Sequence, residues 1–176
     1  MKKIIGIGLL VMSLVFVGCS KDEDSESATV GSITATINGT PWTGTKIINV
    51  SLIQSASMEG QRFDISAQDG KQMLSLAISS ELTTIKGMPV RSYSFETDNA
   101  LFLNTYIVGA NTYTEHLPVS GQLTITAINT DKKTISGTFS FENEKGGALQ
   151  TEIVTPDVVK VTQGVFTNLP YTVITE

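Results

Sequence analysis

The sequence has one cysteine, one histidine and one tryptophan in 176 residues, and these scarcities exclude several classes of protein. A single cysteine allows no disulfide within the chain. A structural zinc site needs several Cys or His ligands, which the lone His116 cannot supply. A Ser-His-Asp triad would have to use His116 too, and no Gly-x-Ser-x-Gly motif surrounds any serine. We therefore expect no metal site, no cofactor, no catalytic residue and no enzymatic activity.

Positive charge is also scarce. The chain has 12 Lys and Arg residues against 17 Asp and Glu residues, and two of the lysines lie in the first three positions. Without that start, 10 basic residues face 17 acidic ones, which gives a formal charge of −7 and leaves no basic run. This balance argues against nucleic-acid binding and against electrostatic adhesion to anionic lipid.

A long apolar run occurs only at the start, where Ile4–Val17 follows Lys2 and Lys3. It is shorter than the ~20 apolar residues that a membrane-spanning helix needs, and it fits the apolar region of a secretory signal. Its end, Phe16-Val17-Gly18-Cys19, resembles the lipobox of bacterial lipoproteins, with Phe16 at a position where Leu is usual. The resemblance implies that residues 1–18 are a signal peptide and that Cys19 is lipidated and anchors the chain to a membrane. The alternative is an ordinary signal peptide with an incidental cysteine.

Residues 19–28 are polar and charged and lack aromatic side chains, which predicts a solvated tether. The start of this tether resembles the export signal of surface lipoproteins in the Bacteroidota. The residues concerned are Ser20, Lys21, Asp22, Glu23 and Asp24. The resemblance implies an outer-membrane protein that faces the cell exterior, and the alternative is an anchor that faces the periplasm.

Residues 29–176 show the alternation of a single all-β domain, with short apolar-alternating runs between turn residues. Ile33–Ile37 alternates with Thr and ends at the turn signal Asn38-Gly39. Around Asp69-Gly70, a two-residue loop at 69–70 would place Ile65 opposite Leu74.

A second hairpin joins Leu123–Ala127 to Ile135–Phe141 through Asn129–Lys133, with Gly137 as a predicted bulge or close approach. No window predicts an amphipathic helix, and Ser79–Lys86 allows at most a short helical turn. Weaker strands are predicted near Ile47–Ile53, Arg91–Phe95, Leu101–Val108, Thr112–His116, Thr151–Val154, Val158–Thr162, Val165–Leu169 and Tyr171–Ile174. About ten short strands favour an antiparallel β-sandwich, with a lipocalin-like barrel as the alternative.

Three segments resemble uncharacterised lipoproteins of the Bacteroidota. They are Ala35–Trp42, the hairpin Gly121–Thr126 with Ile135–Phe141, and Val161–Phe166. The resemblance implies an all-β fold and no known activity, so no site residue is carried over from it.

Three aromatic residues are the candidate ligand contacts. Trp42 follows the first predicted strand, and Tyr106 and Tyr113 flank a predicted hairpin tip with Asn104 and Asn111 nearby. An exposed ring can stack on a sugar, and a Tyr/Asn tip suits sugar or protein contact. The structural alternative is that Trp42 fills one end of the core and that both tyrosines pack half-buried.

These observations favour a membrane-anchored, non-catalytic module that binds a glycan or a protein partner at the cell surface. One alternative is a carrier of a small apolar ligand in a barrel cavity, and another is a structural subunit of an outer-membrane complex. A glycosidase-like pair of carboxylates is a further alternative. Its possible members are Asp64, Glu81, Glu96, Asp98 and Glu115.

Overall fold

The computed structural model describes residues 31–55, 60–81 and 87–175. Cys19, the export-signal residues Ser20–Asp24 and the whole of residues 1–28 lie outside the described residues. Within the described ranges, no helix is long and apolar enough to cross a membrane.

The described residues form twelve strands and one short 3-10 turn, Gly147–Leu149. The strands are β1 Ser32–Ile37, β2 Thr40–Thr43, β3 Lys46–Ser55, β4 Gly60–Gln68, β5 Gln72–Glu81, β6 Ser92–Ser94, β7 Leu101–Val108, β8 Asn111–Tyr113, β9 His116–Asn129, β10 Thr134–Lys145, β11 Val158–Pro170 and β12 Thr172–Thr175.

The strands build two sheets of six. The first, sheet A, has the order β2-β1-β11-β10-β9-β6, and the second, sheet B, has the order β12-β3-β4-β5-β7-β8. All neighbours are antiparallel except β12 and β3, which are parallel. The sheets are not closed into a barrel, which confirms the sandwich and contradicts the barrel on which the carrier alternative relied.

The core lies between the sheets because inward positions alternate with outward polar ones along each strand. Aromatic rings fill its centre. Phe63 meets Tyr171 edge to face at 5.4 Å, and Phe139 stacks on Phe166 at 6.4 Å. Both strands of the predicted second hairpin, which includes Phe139, contribute buried residues. Phe166 is 1% exposed.

Two turns show how local sequence sets the register. Asn38 and Gly39 both have positive φ, at 47° and 79°, as a type I′ hairpin turn requires. The Asp69-Gly70 turn is shifted by one residue from the prediction: Asp69 N–H donates to Gln72 O at 3.1 Å, so the loop is Gly70-Lys71.

The predicted pairing of Ile65 with Leu74 is therefore wrong, and Ile65 faces Leu76. The cause is local. The Asp69 carboxylate accepts from the N–H groups of Lys71 and Gln72, and Gly70 takes the positive φ of 91°. The shift moves the pairing by two positions and keeps both side chains on the buried face.

The β9–β10 hairpin is confirmed, with Asn129 opposite Thr134. Gly137 lies at a bulge and at a close approach of the neighbouring strands, as predicted. The register of β10 shifts beside it in the pairing with β9 and in the pairing with β11. The bulge also reverses the facing of the residues that follow it on β9. Ala127, predicted to face inward, is exposed, and Ile128 packs on the core.

Other predicted strands are wrong in part. Thr151–Val154 forms no strand, because it belongs to a loop whose polar groups bind Glu115. The two strands predicted between Val158 and Leu169 are one bulged strand, β11. The predicted Thr112–His116 strand is divided, because the chain crosses from sheet B to sheet A there. In the predicted helical turn, residues 79–81 belong to β5 and residues 82–86 lie outside the described residues.

Candidate functional site

The structure places Trp42 inside the core rather than on the surface. Trp42 lies on β2 opposite Ala35 and is 5% exposed, and its indole ring approaches the Gly44 backbone. The indole Nε1 has no hydrogen-bond partner among the described residues. A ring in this position cannot stack on a sugar from solution, so the prediction of Trp42 as an exposed ligand contact is wrong. The alternative that it fills one end of the core is correct.

The predicted Tyr106/Tyr113 hairpin is present, with Gly109-Ala110 as its loop. Tyr106 and Tyr113 are directly opposite each other, and both are half-buried. The Tyr106 ring lies 5.7 Å from the His116 ring, and burial raises the pKa of Tyr106. The two tyrosines therefore pack half-buried at the edge of sheet B and do not form an open platform.

The predicted Asn104 contact at that tip is also wrong, because Asn104 is fully buried. Its amide lies near the Tyr106 hydroxyl but makes no hydrogen bond of normal geometry in the described part of the chain. Asn143, also fully buried, donates from Nδ2 to the Phe102 carbonyl at 3.1 Å. These amides form a polar layer between the sheets that is closed to a ligand from solution.

Glu115 and His116 hold the loop 146–157 against the sandwich. The buried Glu115 carboxylate accepts hydrogen bonds from Thr151 and Thr155, and the Lys145 Nζ lies 3.9 Å from it. The hydroxyls of Thr151 and Thr155 favour the ionised carboxylate, which lowers the pKa of Glu115 to about 2. His116 Nε2 donates to the Pro156 carbonyl at 2.7 Å, since a carbonyl can only accept. Both residues thus have structural partners.

The remaining carboxylates that could form the proposed pair lie in different parts of the fold, and Asp64 and Asp98 have different partners. Asp64 accepts from Arg62 at 2.8 Å on the outer face of sheet B. Asp98 binds Arg91 at 2.7 Å and the Ser94 N–H at 2.9 Å beside β6. Glu81 is exposed at the end of β5. Glu96 lines a concave surface.

That surface is a groove of about 440 Å³ on the outer face of sheet A. Hydroxyl, amide, carboxylate and ammonium groups converge on it from β6, β9, β10 and β11, and we call it the polar groove. Its lining residues are Ser94, Glu96, Ser120, Gly121, Gln122, Ser140, Phe141, Glu142, Lys160, Val161 and Thr162.

Strand register explains the convergence. Gln122 pairs with Ser94 on one side and Ser140 on the other, so three polar side chains stand in one row across the sheet. Ser120, Glu142 and Lys160 form the next row. Neighbouring strands lie ~4.8 Å apart, so the groups in a row have roughly the spacing of hydrogen-bonding partners on an extended ligand.

Bulges border the polar groove on both sides. The register shifts between Glu142 and Asn143 toward β9, and between Phe139 and Phe141 toward β11. In the second bulge, Gln163 has a positive φ of 52°, and its Oε1 accepts from Thr36. Bulges bend a strand and redirect its side chains, and they are common beside functional sites. The bends make this part of the sheet concave.

The charges of the polar groove are partly neutralised within it. Lys160 Nζ lies 2.9 Å from Glu142 Oε2. The Ser94 hydroxyl donates to Glu96, and this hydrogen bond lowers the pKa of Glu96. Two carboxylates therefore face one ammonium group, and the hydrogen bond from Ser94 favours the ionised form of Glu96.

Most residues of the polar groove are neither aromatic nor part of a catalytic motif, so the sequence did not indicate them as site residues. A usable signal was present in the two strands of the predicted second hairpin. Ser140 is an outward polar residue of the second strand, and Gln122 and Glu142, which flank the predicted strands, are polar and not buried either. What the sequence did not contain is the pairing of that hairpin with β11 and β6, which brings Lys160 and Glu96 to it.

The polar groove offers hydrogen bonding rather than metal or nucleophile chemistry. Among residues 31–55, 60–81 and 87–175, no group of three or more His, Cys, Asp and Glu side chains lies together as a metal site would require. The arrangement can bind a ligand that presents many hydroxyl groups, because most of the lining side chains donate or accept hydrogen bonds.

Comparisons with known proteins define the family but no activity. No curated protein and no solved structure matches the chain. A family model matches residues 30–170, which include every residue of the polar groove and both sheets except the C-terminal strand β12. The chain therefore belongs to the family described as Domain of unknown function (DUF6252).

Proposed function

We propose that this protein is a lipid-anchored, non-catalytic module of the bacterial outer membrane whose polar groove binds a hydroxyl-rich glycan. The observation that carries the proposal is the groove itself, about 440 Å³ of concave surface lined mainly by hydrogen-bonding side chains. Surface β-sheets usually expose scattered polar residues. Here Ser94, Gln122 and Ser140 form one polar row across the sheet, and the row beside it contains the charged residues Glu142 and Lys160.

The chemistry of the lining supports a sugar ligand. A sugar hydroxyl both donates and accepts, and Gln122 offers both functions through its amide. The serine hydroxyls on either side can rotate to serve as donor or acceptor. Glu142 and Lys160 supply an acceptor and a donor on one edge of the groove, and hydrogen bonds to charged groups are the stronger kind.

A hydrolytic role has less support. A glycosidase needs one carboxylic acid with a raised pKa to protonate the leaving group. In the polar groove, the Ser94 hydroxyl lowers the pKa of Glu96, and Glu142 is ion-paired with Lys160. The environment of Glu96 therefore favours the ionised carboxylate rather than the protonated acid.

Binding is tested with the detergent-solubilised full-length protein and a calorimetric panel of oligosaccharides. The variants Ser140→Ala and Gln122→Ala remove polar groups from the groove. We expect each to weaken binding about two- to tenfold, the value of one neutral hydrogen bond. Ser32→Ala is the matched control, because Ser32 is exposed on the same sheet outside the groove, and its affinity should equal that of the unmodified protein.

No binding by any oligosaccharide would refute the glycan proposal and favour a protein partner or a structural subunit. Equal losses in Ser140→Ala and Ser32→Ala would place the ligand outside the groove. Product analysis by chromatography after long incubation separates binding from hydrolysis, because a binding module releases no shorter sugars.

The anchor has a separate test in the cell. The apolar leader that ends at Cys19 supports lipidation of this residue. We expect Cys19→Ala to shift the protein from the membrane fraction to the soluble fraction, and full retention in the membrane would refute the anchor. Replacing Asp22, Glu23 and Asp24 with Ala should reduce cleavage by external protease on intact cells, and unchanged cleavage would refute the export signal.

A further inference from the structure

We infer that the polar groove selects uncharged glycans and rejects acidic ones, an inference that rests on the proposed function. The reason is the sign of the charge that a ligand would meet. Glu96 and Glu142 line the groove, and Lys160 is the one cation among its described lining residues. A carboxylate of a uronic acid or a sulfate in the same groove would meet a net negative site.

Lys160 is not free to compensate for an added anion. Its Nζ lies 2.9 Å from Glu142 Oε2, so an anionic ligand would have to compete with a carboxylate that is already in place. Glu142 keeps only 29% of its side chain exposed, which limits how far it can turn away from the pair. Because of this ion pair, the edge of the groove that Glu142 and Lys160 form is nearly neutral.

The other edge of the groove stays negative. Glu96 is exposed, and its carboxylate accepts from Ser94, its neighbour on the groove wall. Arg91, which directly precedes β6, is already paired, with its Nη1 2.7 Å from Asp98 Oδ1. Glu144 is exposed one row beyond Glu142 on the same strand and adds to the negative field.

Nearby cations do not reverse this sign. Lys145, next along β10, has its side chain 17% exposed, and its Nζ donates to the Thr155 carbonyl at 3.3 Å. Lys160 is thus the only ammonium group that lines the groove, among the residues that the structure describes. The selection proposed here is a rejection of like charge rather than an added attraction for the neutral sugar.

The test compares sugars that differ only in charge. The probes are cellotetraose, laminaritetraose and maltotetraose, each with its counterpart in which the primary alcohols are oxidised to carboxylates. Calorimetry uses the full-length protein in detergent. At low salt, where the Debye length is ~30 Å, we expect the acidic counterpart to bind at least about tenfold more weakly than its neutral parent. The gap should narrow at ~1 M salt, where that length falls to ~3 Å.

Two variants locate the effect. We expect Glu96→Gln and Glu142→Gln each to strengthen binding of the acidic sugar by about threefold, the effect of one like charge ~6 Å away in water. The second variant also frees Lys160. Because both residues line the groove, the quantity compared is the ratio of the affinities for the acidic and the neutral sugar. Asp131→Asn is the control, because it removes the same charge in the loop at the other end of the β9–β10 hairpin.

The outcomes separate this inference from the proposed function. If neutral and acidic sugars bind equally, or the acidic ones bind better, the charge selection is refuted and glycan binding stands. If Asp131→Asn has the same effect as Glu96→Gln, the selection belongs to the net charge of the protein and not to the groove. If no probe of either kind binds, glycan binding itself fails and the selection fails with it.

Discussion

Gly137 is the position at which one added methyl group should destabilise the fold most clearly. It lies on β10 between β9 and β11. A Cβ at this position would lie 2.3 Å from the Thr124 carbonyl oxygen and 2.4 Å from Phe166 Cζ. Overpacking a core costs about 1–3 kcal/mol. One of the two clashing atoms is backbone in a central strand and cannot rotate away, so we expect Gly137→Ala to lower the free energy of unfolding by about 3 kcal/mol.

For a domain of this size, that loss corresponds to about 6–12 °C in Tm. Urea denaturation followed by circular dichroism measures it as a lower midpoint with an unchanged m value. Gly147→Ala is the matched control, because nothing lies within 4 Å of its Cβ position, and its stability should change by less than about 0.5 kcal/mol.

A second mutation identifies the clashing group. In the Gly137→Ala background, Phe166→Leu shortens the ring that the new methyl group meets. The double variant should therefore lose less stability than the sum of the single variants, by about 1 kcal/mol. If Gly137→Ala is as stable as Gly147→Ala, the close approach of β9 and Phe166 to this glycine is wrong, and so is the reasoning from it.

Two further predictions concern stability. Because the pKa of Glu115 is lowered from 4.5 to about 2, its stabilising contribution is complete above about pH 4.5 and is lost as the pH falls toward 2. Denaturation midpoints between pH 2 and pH 6 should fall more steeply for the unmodified protein than for Glu115→Gln, and parallel curves would contradict the assignment. Phe63→Ala should cost about 3–5 kcal/mol, because Phe63 is 1% exposed and packs edge to face on Tyr171. Phe95→Ala, at a partly buried position, should cost clearly less in the same urea titration, and equal losses would contradict the placement of Phe63 at the centre of the core.

The structure also shows where sequence patterns lead to a wrong answer. The prediction of a loop at Asp69-Gly70 had the correct turn residues but the wrong loop position. Alternation of side chains cannot detect the error, because a register moved by two positions keeps the same face buried. The hydrogen bonds that the Lys71 and Gln72 N–H groups donate to the Asp69 carboxylate decide the position. The strand predicted at Thr151–Val154 is absent for another reason, since Thr151 donates to the buried Glu115 carboxylate instead of pairing with a neighbouring strand.

The sequence by itself determined the properties that depend on neighbouring residues. Strand periodicity gave the all-β class, Asn38-Gly39 gave a hairpin turn, and Gly137 indicated a bulge, because each rests on backbone preferences within a few residues. The tertiary structure alone decided which strands become neighbours. It brought β11 beside β10 and β6 beside β9, buried Trp42, and placed Glu96 and Lys160 on one groove although 64 positions separate them in the chain. Pairing between distant strands depends on how the whole core packs, and no local pattern contains that information.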